Sequence, residues 1–106
     1  MAQEVLSFLK QFSELSKGYL QIYHQHVDGE RQVDANLLMS ELTSKMIALD
    51  EAGEEDLVVR TIRFIKGIYA VSSADTQRLI ISSMLAKIPK DCHQNSKLKA
   101  LLKMKL

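Results

Sequence analysis

Two histidines and an aspartate alternate in the stretch His24-Gln25-His26-Val27-Asp28. On an extended strand, this alternation would place three metal ligands on one side. The stretch instead closes a strongly helical pattern, in which His24 and His26 diverge by about 200° around the helix axis. No further ligands follow at the spacings of known metal sites. We therefore predict a partly buried His26 on the apolar face, His24 beside it, and no metal or cofactor.

Cys92 and His93 are the other candidates for catalysis, and they are neighbours in a polar stretch. Adjacent residues rarely activate one another, and a nucleophilic cysteine needs a base and an orienting group from elsewhere in the fold. The four glycines are isolated from each other, so the sequence has no phosphate-binding loop. Serine-hydrolase and zinc-protease motifs are also missing. The sequence therefore predicts no catalytic residues and no enzyme.

Acidic residues gather around Gly53: Asp50, Glu51, Glu54, Glu55 and Asp56. They lack the alternating spacing of a calcium-binding loop. The later members fall in the first turn of the next predicted helix, where the helix dipole favours negative charge. Capping and solvation explain this cluster better than a cation site does.

Charge is divided along the chain, although the formal net charge is only +1. Residues 1–86 carry 8 Lys or Arg against 12 Asp or Glu, whereas residues 87–106 carry 6 against 1. Lysine without arginine or aromatic residues favours nonspecific neutralisation of phosphates over base reading. Four alternatives remain open for the basic end: it is a solvated tail, it docks on residues 50–56, it binds an acidic protein, or it contacts nucleic acid.

The most apolar periodic stretch is LVVRTIRFIKGIYA, residues 57–70. At about 100° per residue, Val58, Ile62, Ile65 and Tyr69 form one stripe, which neighbouring apolar residues widen enough to contact several helices. A strand would suit the frequent Val, Ile and Thr, but apolar residues occur consecutively at two places and break the alternation. We predict a core helix here.

Three further segments repeat apolar residues with helical spacing. Together with the central stretch they predict four helices, near residues 3–28, 34–52, 55–71 and 73–88. Links of only a few residues favour an up-down order. The predicted fold is all-α, an antiparallel four-helix bundle in residues 1–90, followed by a short basic C-terminal helix or tail in residues 91–106.

Capping residues mark several of the predicted helix ends. Asp34 is placed to cap the second helix, and Gly53 to end it. Ser72 and Asp75 match a loose capping box at the start of the fourth helix. Gly18 falls on the polar side of the first helix, so that helix is predicted to be continuous.

Composition indicates a folded domain, since 46% of the residues are hydrophobic and 25% are charged. A single cysteine excludes an internal disulfide and suits a reducing compartment. No apolar run approaches the roughly 18 residues of a membrane span, and the N-terminus lacks a signal-peptide pattern. We expect a cytoplasmic protein without a membrane span.

Leu37, Ile47 and Leu79 are spare apolar residues that the predicted helices do not need for their core stripes. Spare apolar side chains of this kind predict contact with a partner. The predicted partner-binding residues are these three and four lysines of the basic end: Lys97, Lys99, Lys103 and Lys105.

The function predicted from these features is that of a protein-protein interaction module. Such a module is an adaptor, chaperone, inhibitor or immunity-type protein that binds another protein or pairs with itself. Its size and helix arrangement are similar to those of bacteriocin immunity proteins and small secretion chaperones, with no shared motif. The alternative is a weak nucleic-acid-binding or regulatory protein that uses its Lys-rich C-terminus.

Overall fold

The computed structural model describes residues 3–28 and 33–88, and all regular secondary structure in these two ranges is helical. The α-helices are α1 (Gln3–Ser13), α2 (Lys17–Val27), α3 (Ala35–Glu51), α4 (Glu55–Val71) and α5 (Ala74–Leu79). A π-helix, Ile80–Leu85, continues α5 directly, and we call residues 74–85 the α5–π segment. The all-α prediction is confirmed for this part of the chain. The predicted extension at residues 91–106 lies outside the described residues.

The prediction of one continuous helix over residues 3–28 is wrong. The chain breaks after Ser13, and Ser16 adopts an extended conformation and accepts a hydrogen bond from the Tyr19 backbone N–H at 3.2 Å. This bond satisfies a free N–H group at the start of α2, so Ser16 is an N-cap. The break brings the rings of Phe12 and Tyr19 to 5.0 Å, whereas seven residues of continuous helix would separate them by about 10 Å along the axis.

The predicted boundaries of the next two helices are confirmed. The Asp34 side chain accepts a hydrogen bond from the Leu37 backbone N–H at 3.1 Å and caps α3. Gly53 has a φ of +83°, and the backbone N–H groups of Gly53 and Glu54 bond to the carbonyls of Asp50 and Leu49. These two bonds form a Schellman motif, which favours glycine because its central residue is left-handed.

The capping box predicted at Ser72 and Asp75 is wrong. The Ser72 hydroxyl donates back to the Ile68 carbonyl at 2.5 Å, and Ser73 is the N-cap of α5 without using its own side chain as the acceptor. The cap comes instead from α1, because one carboxylate oxygen of Glu4 accepts from the Ser73 backbone N–H at 3.1 Å and from the Ser73 hydroxyl at 2.6 Å. The Thr76 hydroxyl donates to the same oxygen.

The core draws buried apolar residues from all the helices. On α4, Val58, Ile62 and Ile65 are buried as predicted, while Tyr69 is half-buried. The remaining buried apolar residues are Val5, Phe8, Leu9, Phe12, Tyr19, Leu38, Met39, Leu42, Met46, Leu79, Ile80, Met84 and Ile88. These helices thus enclose one continuous core.

An aromatic cluster joins α1, α2 and α4. Phe8 stacks on Phe64 at 5.8 Å between ring centroids, and Phe12 meets both Phe64 and Tyr19 edge to face. Such ring pairs contribute stability beyond the area that they bury. The Tyr19 hydroxyl reaches the Thr61 hydroxyl at 3.2 Å, so the one polar atom of this cluster has a partner.

Candidate functional site

The π-helix at Ile80–Leu85 is the least regular element of the described chain. Helices of this type are rare, and they occur frequently at functional sites. Its turns are wider than those of an α-helix, and here they turn Ser83 toward α3, where its hydroxyl donates to the Asn36 side-chain oxygen at 2.6 Å. The bond holds the α5–π segment against the first turn of α3.

A groove lies beside this contact, between α1, α3 and the α5–π segment. It has a volume of about 400 Å³, and its lining residues are Val5, Ala35, Asn36, Asp75, Arg78, Leu79 and Ser82. We call it the α5 groove. Val5 and Leu79 are buried and Ala35 is half-buried, whereas the four polar lining residues are exposed. The groove therefore has an apolar floor and a polar rim.

Opposite charges stand on the rim of the α5 groove. Asp75 and Arg78 are three residues apart, so they lie on one face of α5. Neither forms an ion pair with any other described residue. The rim thus offers one carboxylate and one guanidinium for contact with another molecule.

Leu79 is a correction to the predicted partner-binding set. It is only 6% exposed and belongs to the core, so it forms the floor of the groove and is not a spare surface residue. The apolar stripe that the sequence predicts for this last helix consists of Ala74, Ile80, Ile81, Met84, Leu85 and Ile88. The buried face is rotated from that stripe and consists of Thr76, Leu79, Ile80, Ser83, Met84 and Ile88, whereas Ile81 and Leu85 are only half-buried.

The other predicted partner-binding residues have different positions. Leu37 is 53% exposed, next in sequence to Asn36 of the groove rim. Ile47 is half-buried and packs against the core. The four predicted lysines, Lys97, Lys99, Lys103 and Lys105, lie outside the described residues. The Cys92-His93 pair also lies outside them.

The two histidines of the first predicted motif each have their own carboxylate partner. His24 Nδ1 lies 3.1 Å from Asp28 Oδ2 on the same helix, and His26 Nε2 contacts Glu41 Oε2 of α3. His26 is partly buried, as predicted, and His24 is exposed. Residues 3–28 and 33–88 contain no group of three or more His, Cys, Asp or Glu side chains that could hold a metal ion.

Two smaller grooves lie elsewhere on the described surface. One, of about 210 Å³, lies between α1 and α4 and includes Glu4, Phe8 and Val71, the last of which is 83% exposed. The other, of about 340 Å³, follows α4 and mixes acidic residues with Arg60 and Arg63. Neither these two grooves nor the α5 groove contains a histidine or a cysteine.

Glu4 lines the groove between α1 and α4 and also contacts the start of the α5–π segment. Its carboxylate is exposed, and the hydrogen bonds from the Ser73 side chain, the Thr76 side chain and the Ser73 backbone lower its pKa below 4.5. Glu4 therefore stays ionised at neutral pH and holds the start of α5 on α1. Sequence periodicity offers no signal for this contact, because Glu4 is distant from Ser73 in sequence.

Comparisons with protein-family models, with curated protein sequences and with solved structures give no match to this chain. Within the described part of the chain, no helix is long and apolar enough to cross a membrane. The described residues therefore form a small all-helical domain, and its α5 groove has an apolar floor and a charged rim.

Proposed function

We propose that this protein is a non-catalytic interaction module and that the α5 groove is its binding surface. The observation that carries the proposal is the arrangement of the groove, an apolar floor framed by a carboxylate and a guanidinium without partners among the described residues. Protein interfaces combine an apolar centre with a polar rim in this way. The charges on the rim would orient the bound protein, and the floor would contribute the apolar contact.

Leu37 extends this surface in our proposal. It is one of two large apolar side chains that are exposed in the described part of the chain, and it follows a rim residue of the groove. An isolated exposed leucine needs no explanation, but one beside an apolar groove enlarges the area that a partner can cover.

The scaffold that we propose is the predicted up-down bundle, in which α1 and α2 take the place of the first predicted helix and the α5–π segment takes the place of the fourth. Short connections after α3 and α4 support this order. We further propose that the protein works in the cytoplasm, which its single cysteine supports.

Nucleic-acid binding is less well supported than protein binding. The described residues carry 11 Asp or Glu against 8 Lys or Arg, so this part of the chain would repel a phosphate backbone. Asp75 also stands at the start of α5, where a recognition helix would approach DNA. The alternative rests on the Lys-rich end of the sequence and stays a prediction.

Site-specific photo-crosslinking tests the proposal. A photoreactive amino acid replaces Ser82 on the groove rim or, as a control, Lys66 on the exposed face of α4, and crosslinking is carried out in cells of the source organism. We expect a protein adduct from position 82, of defined mass on a gel and identified by mass spectrometry, and none of that mass from position 66.

A matched pair of tryptophan substitutions shows whether the adduct depends on the groove. Ala35→Trp places a large ring on the groove floor, whereas Ala48→Trp places the same ring on an exposed position of the same helix. We expect the position 82 adduct to disappear with Ala35→Trp and to persist with Ala48→Trp, with both variants retaining the helical circular dichroism spectrum. An adduct that survives both substitutions, or the absence of any protein adduct, would overturn the proposal.

A further inference from the structure

We propose that the partner of the α5 groove is a second copy of this chain, which pairs antiparallel along α5 across a two-fold axis. This inference rests on the proposed function and names its partner. It starts from the two rim charges, because their signs and spacing are self-complementary.

The pairing of the rim charges follows from two-fold symmetry. In a two-fold dimer, any residue i that contacts residue j of the other copy receives the reciprocal contact from it. If the axis passes between Asp75 and Arg78, each carboxylate meets the guanidinium of the other copy, and two ion pairs form. Within one copy, neither charge pairs with another described residue, so the dimer supplies partners that the single chain lacks.

The shape of the groove fits the same partner. Arg78 carries a long aliphatic stem that can cover apolar surface while its guanidinium stays at the rim. In the dimer, the stem of each Arg78 lies over the floor formed by Val5 and Leu79 of the other copy, and its guanidinium reaches Asp75, which lines the same groove. Ala74 and Ser82 on the exposed side of the α5–π segment are small, so two such segments can approach closely.

The expected dimer is weak, because a surface centred on one short helix lies at the lower end of the usual range of interface areas. Sedimentation velocity on the complete chain, from about 10 µM to about 1 mM, covers the dissociation constants of weak complexes. We expect the weight-average sedimentation coefficient to rise with concentration from the monomer value toward the dimer value.

Charge reversal tests the ion pairs. Asp75→Arg makes both rim charges positive, and Arg78→Asp makes both negative, so each variant alone replaces two attractive contacts with repulsive ones. We expect each reversal to weaken self-association by about tenfold or more. An equimolar mixture of the two variants restores opposite charges across the axis, and we expect it to associate at least as well as the wild type.

The mixture also guards against misfolding as an explanation. Asp75 lies in the first turn of α5, where a positive charge is unfavourable, but a variant that had lost its fold would not regain association on mixing. Glu51→Arg and Arg63→Asp make the same changes of charge at exposed positions away from α5. We expect these control variants to associate like the wild type.

A wild type that stays monomeric up to about 1 mM, or self-association that the rim reversals leave unchanged, would overturn self-pairing. Association that the mixture fails to restore would also overturn it. The proposed function fails separately, through the crosslinking experiment. A position 82 adduct to a different protein, together with a monomeric wild type, would support the groove as a binding surface and exclude the second copy as its occupant.

Discussion

The aromatic cluster of α1, α2 and α4 and the α5–π segment are attached to the molecule by different interactions. The cluster is held by buried rings in mutual contact, and its one polar atom has a buried partner. The α5–π segment buries Leu79, Ile80 and Met84 in the same core, and hydrogen bonds to polar side chains of other helices also hold it, Glu4 at its start and Asn36 at Ser83. The proposed binding groove lies on the second region.

The aromatic cluster should carry the largest stability effect of any single truncation. Phe12 is fully buried and contacts three other rings, so Phe12→Ala leaves a cavity and loses ring contacts. We expect a loss of about 3–5 kcal/mol in the free energy of unfolding, measured by chemical denaturation. Val71→Ala serves as the control, because that side chain is 83% exposed and its removal should change stability little. A loss below about 1 kcal/mol for Phe12→Ala would mean that the cluster is not packed as described.

Removal of the Tyr19 hydroxyl should have a smaller effect, of about 1 kcal/mol. Thr61 donates its own hydroxyl hydrogen to the Leu57 carbonyl at 2.8 Å, so the Tyr19 hydroxyl is the donor to Thr61. Tyr19→Phe removes this hydrogen bond and preserves the ring contacts. Chemical denaturation at pH 7 gives the difference, and a loss as large as that of Phe12→Ala would contradict the division between ring packing and the hydroxyl contact.

The same substitution should also change the alkaline pH dependence of stability. Burial raises the pKa of Tyr19 above 10.0. The unfolded chain therefore loses this proton at a lower pH than the folded chain does, so stability is complete below pH 10 and falls as the pH rises through the folded-state pKa. We expect Tyr19→Phe to lose less stability than the wild type above pH 10, and equal losses would count against burial of the phenol.

The smallest effect on global stability is expected at Glu4, with a clear local one at α5. Because its pKa is lowered in the folded state, the stabilisation by Glu4 is present above pH 4.5 and is lost as the pH falls through the folded-state pKa. Glu4→Gln should reduce this acid dependence and speed amide hydrogen exchange in α5, with α2 unchanged. Glu14→Gln, a matched exposed position after α1, should do neither. Equal exchange in the two variants would show that Glu4 does not hold α5.

The sequence predicts α3 and α4 better than it predicts α1, α2 and the α5–π segment. Local signals determine α3 and α4: Asp34 caps one helix, Gly53 ends it, and the apolar stripe of α4 points to the core. The break before α2 depends on the Ser16 hydroxyl, which accepts a backbone hydrogen bond in place of a continuous helix. The packing of Phe12 on Tyr19 favours the broken form. A serine inside an amphipathic pattern therefore gives only a weak signal.

The candidate site could be predicted only in part. The position of Leu37 off the apolar stripe predicts an exposed side chain, and Leu37 is exposed next in sequence to Asn36 of the groove rim. Leu79 is missed because the buried face of the last helix is rotated from the predicted apolar stripe, and the groove depends on Glu4 and Asn36, which are far from α5 in sequence. Contacts between residues so distant in sequence are fixed by tertiary packing, which a single sequence does not reveal.

We propose that the groove beside α5 is the surface through which the protein contacts other proteins. The most direct test of this proposal is the crosslinking yield from position 82, compared between the chain with Ala35, the chain with Ala35→Trp and the chain with Ala48→Trp. We expect one adduct of defined mass, which is lost only when tryptophan occupies the groove. An equal yield in all three chains would contradict the proposal.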